Sequence, residues 1–120
     1  MNIYKTKEFY KGFCADDTCQ CTYCQNYIKQ IKLAYPEVAD YLQTIGVNIE
    51  RPYEIFSLEP ESGYLDYIAA LYIVMGTKED FRDKFINGVS ISIEESHPAM
   101  TIIEEHFVIS ICPIKLKWLY

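Results

Sequence analysis

The spacing of apolar residues changes once along this 120-residue chain, at Arg51-Pro52, and no other feature constrains its fold as strongly. Before that point apolar residues recur at intervals of three and four positions, which is typical of amphipathic helices. After it, apolar and polar residues alternate, which is typical of strands with one buried face. Because helices precede strands, the pattern predicts an α+β fold: an N-terminal Cys-rich loop and helical pair, followed by a mostly antiparallel β-meander of about four strands.

The helical pair is predicted over residues 22–46. Thr22 and Gln25 have the spacing of a capping box, in which a hydroxyl and an amide satisfy free backbone N–H groups at the start of a helix. Pro36 ends the first helix and suits the first turn of the second. Gly46 is a favourable residue just beyond the end of that second helix. The pattern therefore predicts two consecutive helices with a sharp break between them.

A single domain is predicted for residues 1–120, because half of the residues are hydrophobic and a chain of this length can bury one core. Residues 1–25 are expected to form an N-terminal arm and the Cys-rich loop. Within that arm, the aromatic and basic residues 1–13 are interpreted as a short strand or an arm lying on the domain. Residues 53–120 are expected to form the antiparallel sheet.

Strands are predicted at residues 53–58, 64–75, 89–94 and 105–112. The second of these also fits a helical stripe, but it is rich in Tyr, Ile and Val and has a turn at each end, so a long strand is favoured. Glu61-Ser62-Gly63 predicts a hairpin turn. Residues 78–85 are interpreted as a short helix or a single turn of one, and Trp118 as part of a final strand or tail.

Four cysteines lie within eleven residues, in the order C-x4-C-x-C-x2-C: Cys14, Cys19, Cys21 and Cys24. Zinc prefers four soft or borderline ligands arranged as a tetrahedron. A C-x2-C pair can direct both of its sulfurs toward one ion, so all four cysteines are candidate zinc ligands. Cys24 is also expected to have a stabilised thiolate, because it falls in the first turn of a predicted helix.

The cysteine spacing leaves other interpretations open. Structural zinc sites usually join two ligand pairs that are a dozen or more residues apart, so a distal Cys112, His97 or His106 could replace one of the four cysteines. The cysteines could instead be small buried side chains that pack a loop. A redox-active pair at Cys21 and Cys24 is a third possibility, although thioredoxin-like pairs occur in a βαβ context that this sequence lacks.

The chain carries 11 basic and 17 acidic residues, which gives a net charge of −6. The acidity belongs to the middle of the chain, where residues 36–110 hold four basic and fourteen acidic side chains. Nucleic-acid binders normally carry the opposite sign, so no nucleic-acid partner is expected. Concentrated negative charge favours a basic protein partner, because it accelerates the correct encounter and suppresses wrong ones.

Residues 94–97 and 104–106 combine glutamates with a histidine at the two ends of one predicted hairpin. Carboxylates and an imidazole can act as acid and base. Both groups are nevertheless interpreted as solvated strand ends, and Pro98 prevents a continuous helix through the first. No Gly-rich phosphate loop, hydrolase elbow or zinc-protease motif occurs. No catalytic residue is therefore nominated.

These observations predict a small, acidic, non-enzymatic protein-binding module that is stabilised by zinc and docks a basic partner. An antitoxin or immunity-type inhibitor of a basic toxin is one concrete form. The alternatives are a thiol redox or zinc enzyme that uses the C-x2-C pair, and a structural or regulatory component such as a metal or redox sensor. Since no secretory signal and no apolar run of roughly 20 residues is found, a bacterial cytoplasmic location away from membranes is expected.

Overall fold

A computed structural model describes residues 1–98 and 101–120. Within these residues three α-helices precede a six-stranded sheet, which confirms the α+β fold; the strand number is six rather than about four. The helices are α1 (Ile3–Gly12), α2 (Thr22–Ala34) and α3 (Pro36–Thr44). The strands are β1 (Glu54–Ser57), β2 (Tyr64–Met75), β3 (Lys84–Ile86), β4 (Val89–Ile93), β5 (His106–Cys112) and β6 (Ile114–Lys117). In the described part of the chain, no helix combines the length and the apolar character needed to cross a bilayer.

Strand β2 is the centre of the sheet. The strand order is β1-β2-β5-β4-β3, and the paired strands are antiparallel. β6 pairs with the first half of β2 and β5 with the second half. Tyr67 pairs with Ile114 and Ala70 with Ile111, so β5 and β6 keep one register along β2. The prediction that residues 64–75 form one long strand is confirmed.

The predicted hairpin turn before β2 is also confirmed. Ser62 has φ 54° and Gly63 has φ 82°, as type I′ turns require at both central positions. Glycine adopts such a φ without steric cost. Residues 78–85, predicted as a short helix or a single turn of one, form a non-helical turn that leads into β3 at Lys84.

The main core lies between the helices and one face of the sheet. Helices α2 and α3 contribute Tyr27, Ile31 and Leu42, which are fully buried. The buried sheet residues of the same core include Leu65, Tyr67, Tyr72, Ile91, Ile109 and Ile111. The hydroxyls of Tyr27 and Tyr72 are 2.6 Å apart, and the latter donates to the carbonyl of Ile49 at 2.6 Å. The tyrosines thus add apolar area to the core without leaving an unsatisfied hydroxyl.

The N-terminal residues predicted as a strand or an arm form helix α1 instead. Asn2 caps this helix, since its Oδ1 accepts a hydrogen bond from the Lys5 N–H at 2.9 Å. Thr6 and Tyr10 are four residues apart, so they lie on the same side of the helix, and both are buried. The helical pattern is weak in the sequence because the buried side includes a polar threonine.

The buried side of α1 covers the part of β2 that β1 leaves without a strand partner. β1 pairs with β2 no further than Leu71. Beyond it, the Tyr10 hydroxyl accepts from the Ile73 N–H at 3.0 Å and donates to the Ile73 carbonyl at 2.8 Å. Thr6 Oγ1 accepts from the Met75 N–H at 3.0 Å. Uncovered edge groups invite pairing with another chain, so α1 completes the sheet edge with side-chain hydroxyls.

Helix α2 covers the outer edge of β6 in a similar way. Asn26 Nδ2 donates to the Lys117 carbonyl at 2.9 Å, and Asn26 Oδ1 accepts from the Leu119 N–H at 2.9 Å. Gln30 Nε2 donates to the same Lys117 carbonyl at 2.8 Å. These bonds hold α2, whose first turn contains Cys24, against the sheet.

Replacing Tyr10 with phenylalanine is expected to lower the free energy of unfolding by about 1–3 kcal/mol, because the Ile73 N–H and carbonyl would stay buried without their partner. Urea denaturation followed by circular dichroism measures this change. Tyr4→Phe is the matched control, since Tyr4 is on the same helix and 72% exposed; its effect should stay within about 0.5 kcal/mol. Equal stability of Tyr10→Phe and the wild type would contradict the edge-covering role of α1.

Candidate metal centre

Helix α2 begins inside the cysteine cluster. Cys21 is the N-cap residue, and its Sγ accepts a hydrogen bond from the Cys24 N–H at 3.5 Å. Thr22 therefore occupies the first helical position, and the capping box predicted for Thr22 and Gln25 is wrong. The sulfur takes the role that a serine oxygen has at most helix starts. Gln25 instead donates through Nε2 to the Cys19 carbonyl at 2.9 Å, which ties the preceding loop to the helix.

The loop before α2 is shaped by its own hydrogen bonds. It contains one 3₁₀ turn, Ala15–Asp17. The Cys14 N–H donates to Asp17 Oδ2 at 2.8 Å, at the start of that turn. The hydroxyl of the buried Thr18 donates to the Ala15 carbonyl at 2.6 Å, at its end. These bonds reverse the chain so that Cys19 returns to the start of α2.

The sulfur atoms of Cys19, Cys21 and Cys24 all lie within 4.8 Å of one another. Cys19 and Cys21 are exposed and Cys24 is buried, so the group is open to solvent on one side. Sulfurs bound to one tetrahedral zinc at about 2.3 Å are separated from each other by about 3.8 Å. Three of the four predicted ligands are thus close enough to hold one metal ion.

The fourth predicted ligand, Cys14, lies outside this three-sulfur group. It is exposed ahead of the 3₁₀ turn, and its Sγ is 3.9 Å from the Gly12 carbonyl oxygen. The distal alternatives Cys112, His97 and His106 do not belong to the group either, as far as residues 1–98 and 101–120 are concerned. The structure therefore brings together the second, third and fourth cysteines of the cluster.

The thiols of this group differ in acidity. Burial raises the pKa of Cys24, and the hydrogen bonds and charges of Cys19 and Cys21 raise it further. Burial also acts to raise the pKa of Cys21, but hydrogen bonds from the Cys24 N–H and from the neighbouring thiols outweigh it and lower that pKa. The prediction of a stabilised thiolate at Cys24 is wrong, because its burial outweighs the effect of the helix start. Of these two thiols, Cys21 is the more acidic.

One acidic side chain that the sequence analysis missed borders the same group. A small cavity of about 20 Å³ is lined by Cys19, Cys24 and Glu54, among other residues. Carboxylate oxygen is an accepted ligand for zinc. Glu54 begins β1, far along the chain from the cysteines, and no local sequence signal connects them. Glu54 could be found only from the three-dimensional structure, in which β1 lies at the edge of the sheet beside the cysteine loop.

The two groups of glutamate and histidine meet at a second place, a cleft of about 250 Å³. Its lining includes Glu79, Glu94, Glu95, Glu105, His97 and His106, and we name it the acidic cleft. The groups meet because β4 and β5 are antiparallel neighbours, so the end of one strand adjoins the start of the other. Lys78 forms a salt bridge with Glu95, but both side chains are exposed and such pairs contribute little. The cleft keeps an excess of negative charge.

No protein-family model, curated protein or solved structure matches this chain. Its function is therefore inferred from the chemistry of its own residues, above all from the three-sulfur group.

In the metal-free protein, Cys21 is expected to react with iodoacetamide about tenfold faster or more than Cys24 at about pH 7.5, because only thiolates react and Cys24 remains protonated and buried. Peptide mapping by mass spectrometry gives the rate at each cysteine. The reaction rate of each thiol should increase with pH, and the increase for Cys24 should occur at higher pH than the increase for Cys21. Denaturant serves as the control, since unfolding should remove the difference. Equal rates in the folded protein would contradict this order of acidity.

Proposed function

We propose that this protein is a protein-binding module stabilised by a zinc ion held by Cys19, Cys21 and Cys24. The observation that carries the proposal is the approach of three sulfurs to within 4.8 Å at the start of α2. Thiolate sites favour zinc and other soft metals. An ion at this place would join the loop to the helix, and structural zinc contributes its binding energy directly to folding.

Electrostatics also favours a cation at the group. Three thiolates this close repel one another, which is part of the reason that the pKa of Cys24 is raised above its ordinary value. A divalent cation removes that repulsion, so zinc binding deprotonates the thiols and releases protons. The fourth ligand would be Cys14 after a movement of its loop, Glu54 after a movement of its side chain, or water.

Cobalt(II) replaces zinc in thiolate sites and gives sulfur-to-metal charge-transfer absorption, which makes it the probe. Each of Cys19→Ser, Cys21→Ser and Cys24→Ser is expected to weaken metal affinity at least about tenfold, because each removes one thiolate. Cys21→Ser is the most informative of these, since serine still caps α2. Zinc should also raise the melting temperature of the wild type by several degrees, as binding to the native state adds stability.

Cys112→Ser is the matched control, because Cys112 lies outside the group and should leave the metal affinity unchanged. Cys14→Ser and Glu54→Gln identify the fourth ligand, since only the substitution of a residue that binds the ion should weaken the metal affinity. A wild type without charge-transfer absorption would overturn the zinc proposal. If the same protein instead formed a Cys21–Cys24 disulfide rapidly with oxidised glutathione, thiol redox chemistry would be favoured, in keeping with the exposure and lowered pKa of Cys21.

We further propose that the acidic cleft docks a basic protein partner. The support is the concentration of Glu79, Glu94, Glu95 and Glu105 around one concave surface in a chain of net charge −6. Such a field attracts a positively charged partner and raises its association rate. An antitoxin or immunity-type inhibitor, which covers a basic toxin, is the form of this function that the size and the charge fit.

Replacing Glu79, Glu94, Glu95 and Glu105 with glutamine should weaken binding of a fluorescent oligolysine peptide several-fold in low salt, and added salt should reduce the difference because exposed charges are screened. Fluorescence anisotropy measures this affinity.

The matched control replaces Glu8, Glu37, Glu59 and Glu61, which are exposed elsewhere on the molecule, with glutamine. Both variants lose the same total charge, so a general charge effect would weaken binding equally in both. That equal loss would contradict docking at the acidic cleft.

A further inference from the structure

A cleft of about 510 Å³ shares no lining residue with the three-sulfur group or the acidic cleft. It lies among α1, the end of α2, and the segment from α3 to Glu50. Its floor includes the buried side chains of Tyr10, Val47 and Ile49. Pockets of about 300–1,000 Å³ with an apolar floor and a few polar groups are typical of small-molecule sites.

Three lysines line this cleft in an otherwise acidic protein: Lys7, Lys11 and Lys32. Lys7 and Lys11 are one helical turn apart and lie on the same side of α1, and Lys32 is in the last turn of α2. Among the described residues, Lys7 and Lys32 form no salt bridge. Lys11 pairs with Glu8 at 2.8 Å, an exposed pair that a ligand can displace at little cost.

The loop after α3 forms one wall of the cleft, and a glycine in this loop allows it to contact α1. Gly46 ends α3 with φ 87°, as the sequence predicts, and a Cβ there would lie 2.8 Å from the Ile3 carbonyl oxygen and 3.0 Å from the Lys7 nitrogen. Only glycine therefore allows the loop after α3 to touch α1. Asn48 Oδ1 accepts from the Glu50 N–H at 2.9 Å, which fixes the loop and leaves the Asn48 amide N–H groups for a ligand.

We propose that this lysine-lined cleft binds a phosphorylated small molecule that also carries hydroxyl groups, such as a nucleoside monophosphate. Lysine ammonium groups bind phosphate as point charges. The carboxylates of Asp40 and Glu50 line the same cleft and accept hydrogen bonds from hydroxyls. The floor provides apolar area for the flat face of a base.

The probe is adenosine 5′-monophosphate, titrated into ¹⁵N-labelled full-length protein and followed by NMR. Saturable shifts are expected at the amides of Lys7, Gly46 and Asn48. The double variant Lys7→Ala/Lys32→Ala should weaken affinity at least about tenfold, since two charge-assisted contacts are lost. Adenosine, which has no phosphate, should also bind at least about tenfold more weakly than its monophosphate.

The matched control is Lys5→Ala/Lys29→Ala, which removes the same charge from the same two helices outside the cleft. Its affinity should remain within about twofold of the wild type. The proposal is overturned by the absence of saturable shifts at millimolar nucleotide, by shifts that map elsewhere, by equal weakening in both double variants, or by equal binding of adenosine. Lys32→Ala alone, at an exposed helix end, gives the same comparison if the double variant is unstable.

Discussion

The backbone of two incomplete strand edges needs hydrogen-bond partners, and helix side chains provide them. Tyr10 and Thr6 supply partners to the end of β2, while Asn26 and Gln30 supply them to β6. Each buried N–H or carbonyl left alone would cost about 1–3 kcal/mol, a large part of the stability of a small domain. The need to pair these edges therefore fixes the positions of α1 and α2. The three-sulfur group and the lysine-lined cleft lie at these two helices, so their positions depend on the same requirement.

The start of α2 shows how this constraint reaches the three-sulfur group. Asn26 Nδ2 donates to the Tyr67 hydroxyl at 3.1 Å, and that hydroxyl donates to the Tyr23 carbonyl at 2.8 Å. Burial raises the pKa of Tyr67 to about 12, so this hydroxyl keeps its proton and remains a donor at neutral pH. The first turn of α2 is thereby fixed to the central strand. Cys21 and Cys24, at the N-cap and in that first turn, are placed by a tyrosine of β2 and not only by their own spacing.

Sequence reasoning succeeded where one local pattern decides the structure. Strand β2 is long because its β-branched and aromatic residues run between two turns, and the break at Pro36 needs only the geometry of proline. It failed where a distant partner decides. Helix α1 buries Thr6, a polar residue, because its hydroxyl accepts a hydrogen bond from the backbone of β2. No residue near Thr6 in the sequence indicates this distant partner. Cys24 is buried, and its burial outweighs the helix-start effect, so the local helix-start rule gave the wrong sign for its pKa. Glu54 lines one cavity with Cys19 and Cys24 only because the fold brings β1 beside the cysteine loop.

The side of a helix on which each charged residue lies explains more about the surface of this protein than its net charge does. Residues two apart on a helix face nearly opposite sides. Lys5 forms a salt bridge with Glu104 at 3.6 Å, whereas Lys7 lines the cleft with Lys11 and Lys32. Helix α1 thus separates the lysine-lined cleft from the acidic residues near β5. At physiological salt charges act over about 8 Å, so charges on the two surfaces that are further apart than this are largely screened from each other. A long polyanion would meet both surfaces and is disfavoured by the total charge of −6, whereas the proposed phosphate ligand is small enough to approach the lysines without reaching the acidic residues near β5.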